Sequence, residues 1–383
     1  SKYDAQSYDA GFLFSLLKRF VTPYVSGLPL KILVLLLEYV PGLSSYFFGI
    51  SVLRNRSFKE DMTIMPLPLP KEVFGIEEPM KIDGLEIFDQ NNKYLENQLF
   101  LCTRDFTKAY LAKRVTPIQV CEKLIDKINL SCSKACNPPL YGMYQWHQDD
   151  IMAQAKASTT RYSQNRSLGP LDGVPVAIKD ELDVSGYETH VGTSFLNRGN
   201  HASRDAFLVK KLRDQGAIII GKTNMHEIGF GNTTNNPNTH TTRNPYNPDH
   251  YCGGSSGGSA CVVSSGLCPI AIGCDGDGSI RIPSSFCGIY GLKPTCGRVS
   301  STGELNPSVT YNGVMYTQLA NFIGIPAITV PAGYNDKNLP IGLQFMAKWY
   351  DEATLLRVAK VSEEILGSKK RKPSEKYWFG DLL

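Results

Sequence analysis

The middle of the chain alternates short apolar runs with amphipathic stretches, and this alternation limits the fold more than any other feature. Residues 174–178 read as a buried strand, 205–215 as a helix, and 217–220 as a second strand closed by Gly221. A further helix is expected after Thr116, because Pro117 suits a first helical position and four apolar residues follow on one face: Ile118, Leu124, Ile125 and Ile128. Strands that alternate with helices predict an α/β fold.

Composition narrows the class of protein. A chain of 383 residues that is 42% hydrophobic and 20% charged can bury a sizeable core, so one large domain with an appendage is expected. The formal charge of +4 is small and dispersed, which predicts no nucleic-acid partner. Among ten cysteines no Cys-x2-Cys pair occurs, and Cys132 and Cys136 lack further ligands. We therefore expect reduced thiols and no metal site.

Residues 1–70 form a predicted hydrophobic helical extension that ends in a proline-rich linker at 62–70. Acidic residues near its start argue against a secretory signal. Charged and helix-breaking residues interrupt its longest apolar stretch, 28–53, which argues against a transmembrane helix. Its aromatic and basic side chains suit peripheral membrane contact. A helical cap on the protein's own core and a homodimer contact remain open alternatives, and residues 71–383 make up the predicted catalytic domain.

Two familiar patterns are rejected on physical grounds. Residues 216–223 fit the phosphate-loop pattern letter for letter, but their centre is a β-branched run that belongs in a strand. Residues 253–257 fit the Gly-x-Ser-x-Gly pattern of α/β-hydrolases, in which a histidine follows the serine. No histidine follows residue 250. The chain order of such a triad is therefore impossible, although a histidine triad in a different order stays open, and a base for such a serine has still to be found.

Three segments point to that base. Lys179 ends the run Val-Pro-Val-Ala-Ile-Lys, Ser255 lies in the glycine-rich stretch 253–260, and Ser279 lies in Gly-Asp-Gly-Ser-Ile-Arg. The lysine precedes Ser255 by 76 residues, and Ser255 precedes Ser279 by 24. In residue type and spacing the chain resembles the amidase signature family. The resemblance implies a central mixed β-sheet flanked by helices on both faces, and acyl transfer by two serines and a lysine without histidine, metal or cofactor.

The resemblance assigns a role to each residue. It makes Ser279 the nucleophile, Ser255 the proton relay that follows a cis peptide, and Lys179 the base. The apolar run before Lys179 provides burial, which favours a neutral amine. Two non-catalytic interpretations stay open when the residues are considered without the resemblance. Lys179 could be an exposed strand-end lysine paired with Asp180 or Glu181, and the glycine-rich stretch could be a flexible linker.

The loop before Ser279 is the candidate oxyanion hole. Its four successive backbone amides, Gly276, Asp277, Gly278 and Ser279, can point at one oxygen. Two charged residues and one serine are expected to support this loop and the relay: Asp275, Arg281 and Ser256. Asp275 and Arg281 are expected to make a charge-assisted contact, although ordinary surface charges are the alternative.

Within the family, the fatty acid amide hydrolases of the plant-like branch are the most similar. Residues 221–227, residues 242–245 and the N-terminal extension carry that likeness. The wider resemblance to the amidase signature family covers about residues 71–303 and 317–367. Soluble amidases share several of the segments, including the A subunit of glutamyl-tRNA amidotransferase.

Two features depart from the family pattern. Asp277 stands where the family loop normally has glycine, and we expect its side chain to face away from the oxyanion. Members also place a long stretch between the segments that end here near Ser300 and resume near Ile323, but only about twenty residues join them in this chain. The segment near 303–317 therefore looks shortened. Two explanations are open. The protein could be a naturally shortened form, or the full protein could contain residues here that are missing from the written sequence.

The leading hypothesis is a membrane-associated serine hydrolase of N-acylethanolamine-type fatty acid amides. Its expected location is the cytoplasmic face of an intracellular membrane, or the cytosol. Two other functions remain open. One is a soluble amidase of broader substrate range, and the other is a catalytically silent lipid-binding protein, which Asp277 and the short join would explain.

Overall fold

The computed structural model describes residues 99–300, 302–304, 317, 320–321 and 323–383. These residues belong to the predicted catalytic domain. The predicted extension 1–70 lies outside the described residues, as does most of the segment near 303–317. In the described part of the chain, no helix combines the length and apolar character that crossing a membrane requires.

The elements follow one another in the α/β order that the sequence predicts. The helices are α1 (Thr103–Leu111), α2 (Pro117–Ser131), α3 (Gln148–Ser163), α4 (Phe207–Asp214), α5 (Gly257–Ser264), α6 (Arg281–Phe286) and α7 (Glu352–Leu366), with 3-10 turns at Glu227–Gly229, Gly367–Lys369 and Glu375–Tyr377. The strands are β1 (Met143–Gln145), β2 (Pro175–Lys179), β3 (Ile218–Thr223), β4 (Asn235–Asn236), β5 (His240–Thr241), β6 (Arg243–Asn244), β7 (Asn247–Tyr251), β8 (Ile270–Ile272), β9 (Gly291–Lys293), β10 (Ala327–Tyr334) and β11 (Pro340–Met346).

The predicted start of α2 is confirmed. Thr116 is the N-cap, and its Oγ1 accepts a hydrogen bond from Gln119 N at 3.3 Å. Gln119 Oε1 accepts one from Thr116 N at 2.9 Å, which completes a capping box. The apolar face of the helix then packs into the core, where Leu124 and Ile128 are fully buried.

The main sheet has the order β1-β3-β2-β8. Strand β2 runs parallel to both β3 and β8, whereas β1 runs antiparallel to β3, so the sheet is mixed as expected. A second, antiparallel sheet has the order β11-β10-β9, and two short pairs, β4-β5 and β6-β7, lie between α4 and α5 in the chain. Because parallel strands end at the same edge, β2 and β8 deliver Lys179 and the Asp275–Ser279 loop to one side of the sheet.

Helices cover both faces of the main sheet. Along β2, Ala177 belongs to a core with residues of α2 and α5, whereas Val176 and Ile178 belong to a second core with residues of α4. Along β3, Ile218 and Ile220 join the first core and Ile219 the second. This alternation is the period of two expected of a strand between two helical layers, and it holds both strands in a fixed register.

One predicted boundary is wrong. Strand β3 does not close at Gly221 but continues through it to Thr223. Gly221 has a φ of +128°, and a Cβ there would lie 2.3 Å from Gln145 O of the neighbouring strand. Glycine therefore serves close strand pairing instead of a turn. The rejection of the phosphate-loop pattern is supported, because residues 218–223 form a strand that pairs with β2 and, at its end, also with β1.

Candidate active site

Lys179 and Ser255 are in direct contact. Lys179 ends β2, whose five residues are all buried, and its own side chain is only 1% exposed. Its Nζ donates a hydrogen bond to Ser255 Oγ at 2.8 Å. The reading of Lys179 as an exposed strand-end lysine is therefore wrong. Burial beside a hydroxyl is the setting in which a lysine amine can exchange a proton with a serine.

The glycine-rich stretch around Ser255 is buried and ordered, so the linker reading is also wrong. The Gly254–Ser255 peptide is cis, as the resemblance implied. The carbonyl oxygen of Ser255 accepts hydrogen bonds from His226 N at 3.0 Å and from Thr234 Oγ1 at 3.2 Å. A Cβ at Gly254 would lie 2.7 Å from Thr234 Oγ1, so this approach requires glycine. These contacts hold the Ser255 hydroxyl against the lysine.

Ser279 reaches the pair through its backbone. It lies between β8 and α6 and is partly exposed, and its carbonyl oxygen accepts a hydrogen bond from Ser256 N at 3.1 Å. Ser256 follows Ser255, so the loop of the predicted nucleophile lies against the predicted relay. The hydrogen bonds of the described residues do not include one between the hydroxyls of Ser279 and Ser255. The structure therefore brings the three residues together, with the direct side-chain contact between Lys179 and Ser255.

Ser256 ties the relay to the loop a second time. Its Oγ donates to Cys274 O at 3.1 Å and accepts from Cys274 N at 3.4 Å. A Cβ at the neighbouring Gly273 would lie 2.8 Å from Ser256 Oγ. Ser256 thus supports both ends of the loop that begins at Cys274 and ends at Ser279.

Asp275 organises that loop from its centre. Its carboxylate accepts hydrogen bonds from the backbone amides of Gly278 at 2.8 Å, Ile280 at 3.1 Å and Arg281 at 3.2 Å. The Arg281 guanidinium adds two more at 2.9 and 2.7 Å. Burial alone would raise the pKa of Asp275, but the hydrogen bonds and charge of Arg281, with Asn321 and the Gly278 amide, lower it to about 2. Asp275 is therefore a fixed anion, and the reading of this pair as surface charges is wrong.

The predicted oxyanion hole needs one correction. The Gly278 amide donates to Asp275 Oδ1, so it is engaged within the loop instead of pointing at an incoming oxygen. The amides of Gly276, Asp277 and Ser279 remain as candidate donors. Asp277 is not among the described residues with positive φ, so its side chain adds no left-handed strain, and its carbonyl oxygen accepts from Thr317 Oγ1 at 2.8 Å.

Several residues of the site were missed as functional candidates. Thr317 and Asn321 close over the loop from far along the chain: Asn321 Nδ2 donates to Asp275 Oδ1 at 3.0 Å, and Thr317 O accepts from Arg281 Nη1 at 2.9 Å. Glu181 was considered only as a partner of an exposed lysine, yet its side chain is fully buried and its Oε1 lies 2.5 Å from Lys179 Nζ. The sequence signal that could have identified Glu181 was the position of this acid, two residues after the lysine that ends the strand.

One group of side chains could hold a cation by its donor atoms. Ligand atoms of Glu181, Cys274 and Glu304 lie within 4.8 Å of one another. Burial raises the pKa of the Cys274 thiol well above its ordinary value, and the charge of Glu181 raises it further, which keeps the thiol protonated. Because Glu181 is already paired with Lys179, we assign no metal to these residues.

A described cavity lies apart from these groups. It has a volume of about 520 Å³ and is mainly apolar, with Phe106, Ile270, Tyr290 and Leu292 among its walls. Lys179, Ser255 and Ser279 do not line it. It borders the start of β8, whereas the Ser279 loop follows the end of that strand.

Comparisons with known proteins match the part of the chain that contains these candidate site residues. A family model described as Amidase matches residues 126–315 and 303–356 in two overlapping pieces. Fatty acid amide hydrolases of Arabidopsis thaliana and Oryza sativa subsp. indica are both 46% identical, over 53% and 54% of this chain. The A subunit of the glutamyl-tRNA(Gln) amidotransferase from Chloroflexus aurantiacus is 40% identical over 51% of it. These matches cover 33%, 34% and 39% of the relatives, so the chain spans about a third of the length of the plant proteins.

Solved structures share the fold. The native peptide amidase of Stenotrophomonas maltophilia has a TM-score of 0.63 and 18% identity, over 73% of this chain and 99% of that one. A 6-aminohexanoate cyclic dimer hydrolase complexed with substrate has a TM-score of 0.62 and 17% identity, over 73% and 99%. At such identities the likeness concerns the fold alone.

Proposed function

Because this chain belongs to the amidase family, we propose that the protein is a serine hydrolase that cleaves the amide bond of fatty acid amides, with N-acylethanolamines as the substrate class. The observation that carries the proposal is the buried hydrogen bond of 2.8 Å between Lys179 Nζ and Ser255 Oγ, beside the loop of Ser279. A buried amine that contacts a serine hydroxyl is a base and relay without histidine. The match spans about a third of the plant relatives, so the activity of the whole protein is part of the proposal.

The proposed reaction begins at Ser279. Its Oγ attacks the amide carbonyl carbon while its proton passes to Ser255 Oγ and the Ser255 proton passes to Lys179 Nζ. The carbonyl oxygen becomes an oxyanion and accepts hydrogen bonds from the backbone amides of Gly276, Asp277 and Ser279. Asp275 and Arg281 keep those amides in place, because they hold the loop from inside.

Collapse of this intermediate breaks the carbon–nitrogen bond. The proton held by Lys179 returns through Ser255 to the leaving nitrogen, which departs as an amine, and the acyl group stays on Ser279 as an ester. Water then attacks the ester carbon and gives its proton to the same relay. The fatty acid leaves, and Ser279 regains its hydroxyl proton, so the cycle needs no cofactor.

Fatty acid amides are proposed as substrates because plant fatty acid amide hydrolases are among the most similar relatives. Residues 1–70 are proposed to contact the cytoplasmic side of an intracellular membrane. Fatty acid amides partition into membranes, so this contact would bring the protein close to its substrates. The bacterial amidotransferase relatives support a second candidate, a soluble amidase of broader range. A silent lipid-binding protein is the third candidate, on account of Asp277.

The decisive experiment labels the full chain with a fluorophosphonate and maps the modified peptide by mass spectrometry. Labelling at Ser279 that is lost in Ser279→Ala supports an activated nucleophile, and release of fatty acid from N-acylethanolamine vesicles then tests the substrate class. Turnover of short amides alone would favour the soluble amidase. If the folded wild type stays unlabelled and Asp277→Gly becomes labelled, the silent protein is favoured instead.

A further inference from the structure

Glu181 is a buried charge with one evident counter-charge. Its side chain is 0% exposed, and its Oε1 lies 2.5 Å from Lys179 Nζ, although the angle of this contact is not that of a hydrogen bond. Within the described residues, neither carboxylate oxygen accepts a hydrogen bond of good geometry. The 3-10 turn Glu227–Gly229 lies beside the pair, since a Cβ at Gly229 would lie 3.6 Å from Glu181 Oε2 and 3.8 Å from Ser255 Oγ. An isolated buried carboxylate is costly, so the lysine charge matters to it.

The other ionisable groups around the pair contact Glu181 less directly. Burial lowers the pKa of His226, so its ring is neutral near pH 7, and burial raises the pKa of the Cys274 thiol, which is also neutral. Lys222 also interacts with the charge of Glu181, but the acid that it contacts directly is Asp180, at 3.5 Å. Glu304, which contributes an oxygen close to Glu181, is a further acid. Among the described residues, Lys179 is the cation that directly contacts Glu181.

We propose that Glu181 is a positioning residue for the base, which stabilises the positive charge that Lys179 gains when it takes the proton of Ser255. The inference rests on the proposed function and deepens it. The arrangement has the logic of the buried carboxylate behind the histidine in a Ser-His-Asp triad: the acid does not take the proton but favours the charged form of the base. Here the order is Ser279, Ser255, Lys179 and then Glu181.

Removal of the charge has two linked consequences. In Glu181→Gln the amine is a weaker base, so proton transfer from Ser255 is slower when the amine is neutral. The same amine is protonated less readily, so activity persists to lower pH. A residue that only fills space would change the rate or the stability without moving the pH at which activity is lost.

The test measures the rate of fluorophosphonate labelling at Ser279 in the full chain from pH 5 to pH 10. For Glu181→Gln we expect the high-pH plateau to fall about 10- to 100-fold. We also expect the midpoint of the acidic limb to move to lower pH by about one unit or more. Ser279→Ala provides the background at each pH.

Glu352→Gln is the matched control. Glu352 is also a buried glutamate, paired with Arg298 at 2.8 Å, but it contacts none of the groups proposed for the reaction. Its pH profile should coincide with that of the wild type. If Glu181→Gln does not fold, Glu181→Asp replaces it in the test. Aspartate keeps the buried charge but holds it one methylene farther from Lys179, so the acidic limb of the pH profile should move in the same direction by a smaller amount.

The outcomes separate the two proposals. A wild type that stays unlabelled at every pH contradicts the proposed function and this inference together. Labelled proteins whose acidic limbs coincide, or a limb displaced to higher pH in Glu181→Gln, contradict this inference alone. A lower plateau with a limb displaced to lower pH supports it.

Discussion

Arg281 and Asp275 are joined by two parallel charge-assisted hydrogen bonds inside the loop that carries Ser279. Arg281 Nε lies 2.9 Å from Asp275 Oδ2, and Arg281 Nη2 lies 2.7 Å from Oδ1. Both side chains are almost completely buried. Arg281 also donates to Thr317 O at 2.9 Å and to Gln344 Oε1 at 2.8 Å, so one guanidinium connects the loop to β11 and to the short join. This geometry fixes the amides next to the predicted nucleophile.

Arg281→Met is expected to damage both stability and activation. It leaves the Asp275 carboxylate buried without its cation, and breaking such a pair typically costs about 3–5 kcal/mol. Urea unfolding should show this loss, and fluorophosphonate labelling of the fraction that remains folded should fall about 100-fold or more. Asp214→Asn is the control, since it breaks the exposed Lys210–Asp214 pair, which is worth less than about 1 kcal/mol. Equal effects of the two changes would contradict the role given to the buried pair.

Asp275 should also make stability depend on pH in the acidic range. Its pKa is about 2 in the folded protein, below the value of about 3.9 in an unfolded chain. A group with a depressed folded pKa contributes stability that is present above pH 4 and is lost as pH falls toward 2. The contribution is about 2–3 kcal/mol.

The measurement is the free energy of unfolding of the wild type and of Asp275→Asn between pH 5 and pH 2. The difference between them should shrink as the pH falls. Asp249→Asn, at an exposed carboxylate, should instead run parallel to the wild type. A difference for Asp275→Asn that stays constant across this range would show that its low pKa is not linked to folding.

Two glycines of the same loop give a matched pair of substitutions. Gly278 has a φ of +105°, and a Cβ there would lie 2.4 Å from Thr317 Oγ1, whereas a Cβ at Gly276 meets no atom within 4 Å. Gly278→Ala should therefore distort the loop and reduce labelling of Ser279 at least about 10-fold. Gly276→Ala should keep labelling within about threefold. The reverse order of effects would mean that the loop is not held as the structure describes.

The sequence predicted the parts of the site that depend on local patterns. The apolar run before Lys179 indicated a buried strand, and the strand order then placed Lys179 at the edge where β8 also ends. The glycine-rich stretch 253–260 could not be assigned from composition, because glycine and serine also suit linkers. Only its resemblance to a known motif distinguished a buried turn from a flexible one.

The remaining parts depend on contacts between distant residues. Asn321 reaches Asp275 across 46 positions of the chain, and no local pattern marks an asparagine as a loop brace. The engagement of the Gly278 amide follows from where the Asp275 carboxylate points, which is a tertiary property. Gly221 is likewise explained by the approach of β1, not by its neighbours in sequence. Glu181 was visible as a charge, but its complete burial against Lys179 is a tertiary property.

The proposed role of Lys179 as the base is tested by Lys179→Met, which keeps an unbranched side chain of similar length and removes the amine. Labelling of Ser279 should fall about 100- to 10,000-fold, because Ser255 then has no acceptor for its proton. The change also leaves Glu181 buried without its cation, which lowers the stability of this variant as well.

The double variant Lys179→Met/Glu181→Gln separates the two effects. It removes both charges and should unfold at a urea concentration closer to that of the wild type, yet remain unlabelled. Lys293→Met is the control, because Lys293 is a buried lysine whose hydrogen bonds go to Pro294 O and Ile325 O instead of to Ser255, and this variant should be labelled within a few-fold of the wild-type rate. If the double variant were labelled as fast as the wild type, Lys179 would not be the base, and another acceptor for the Ser255 proton would have to be sought around His226.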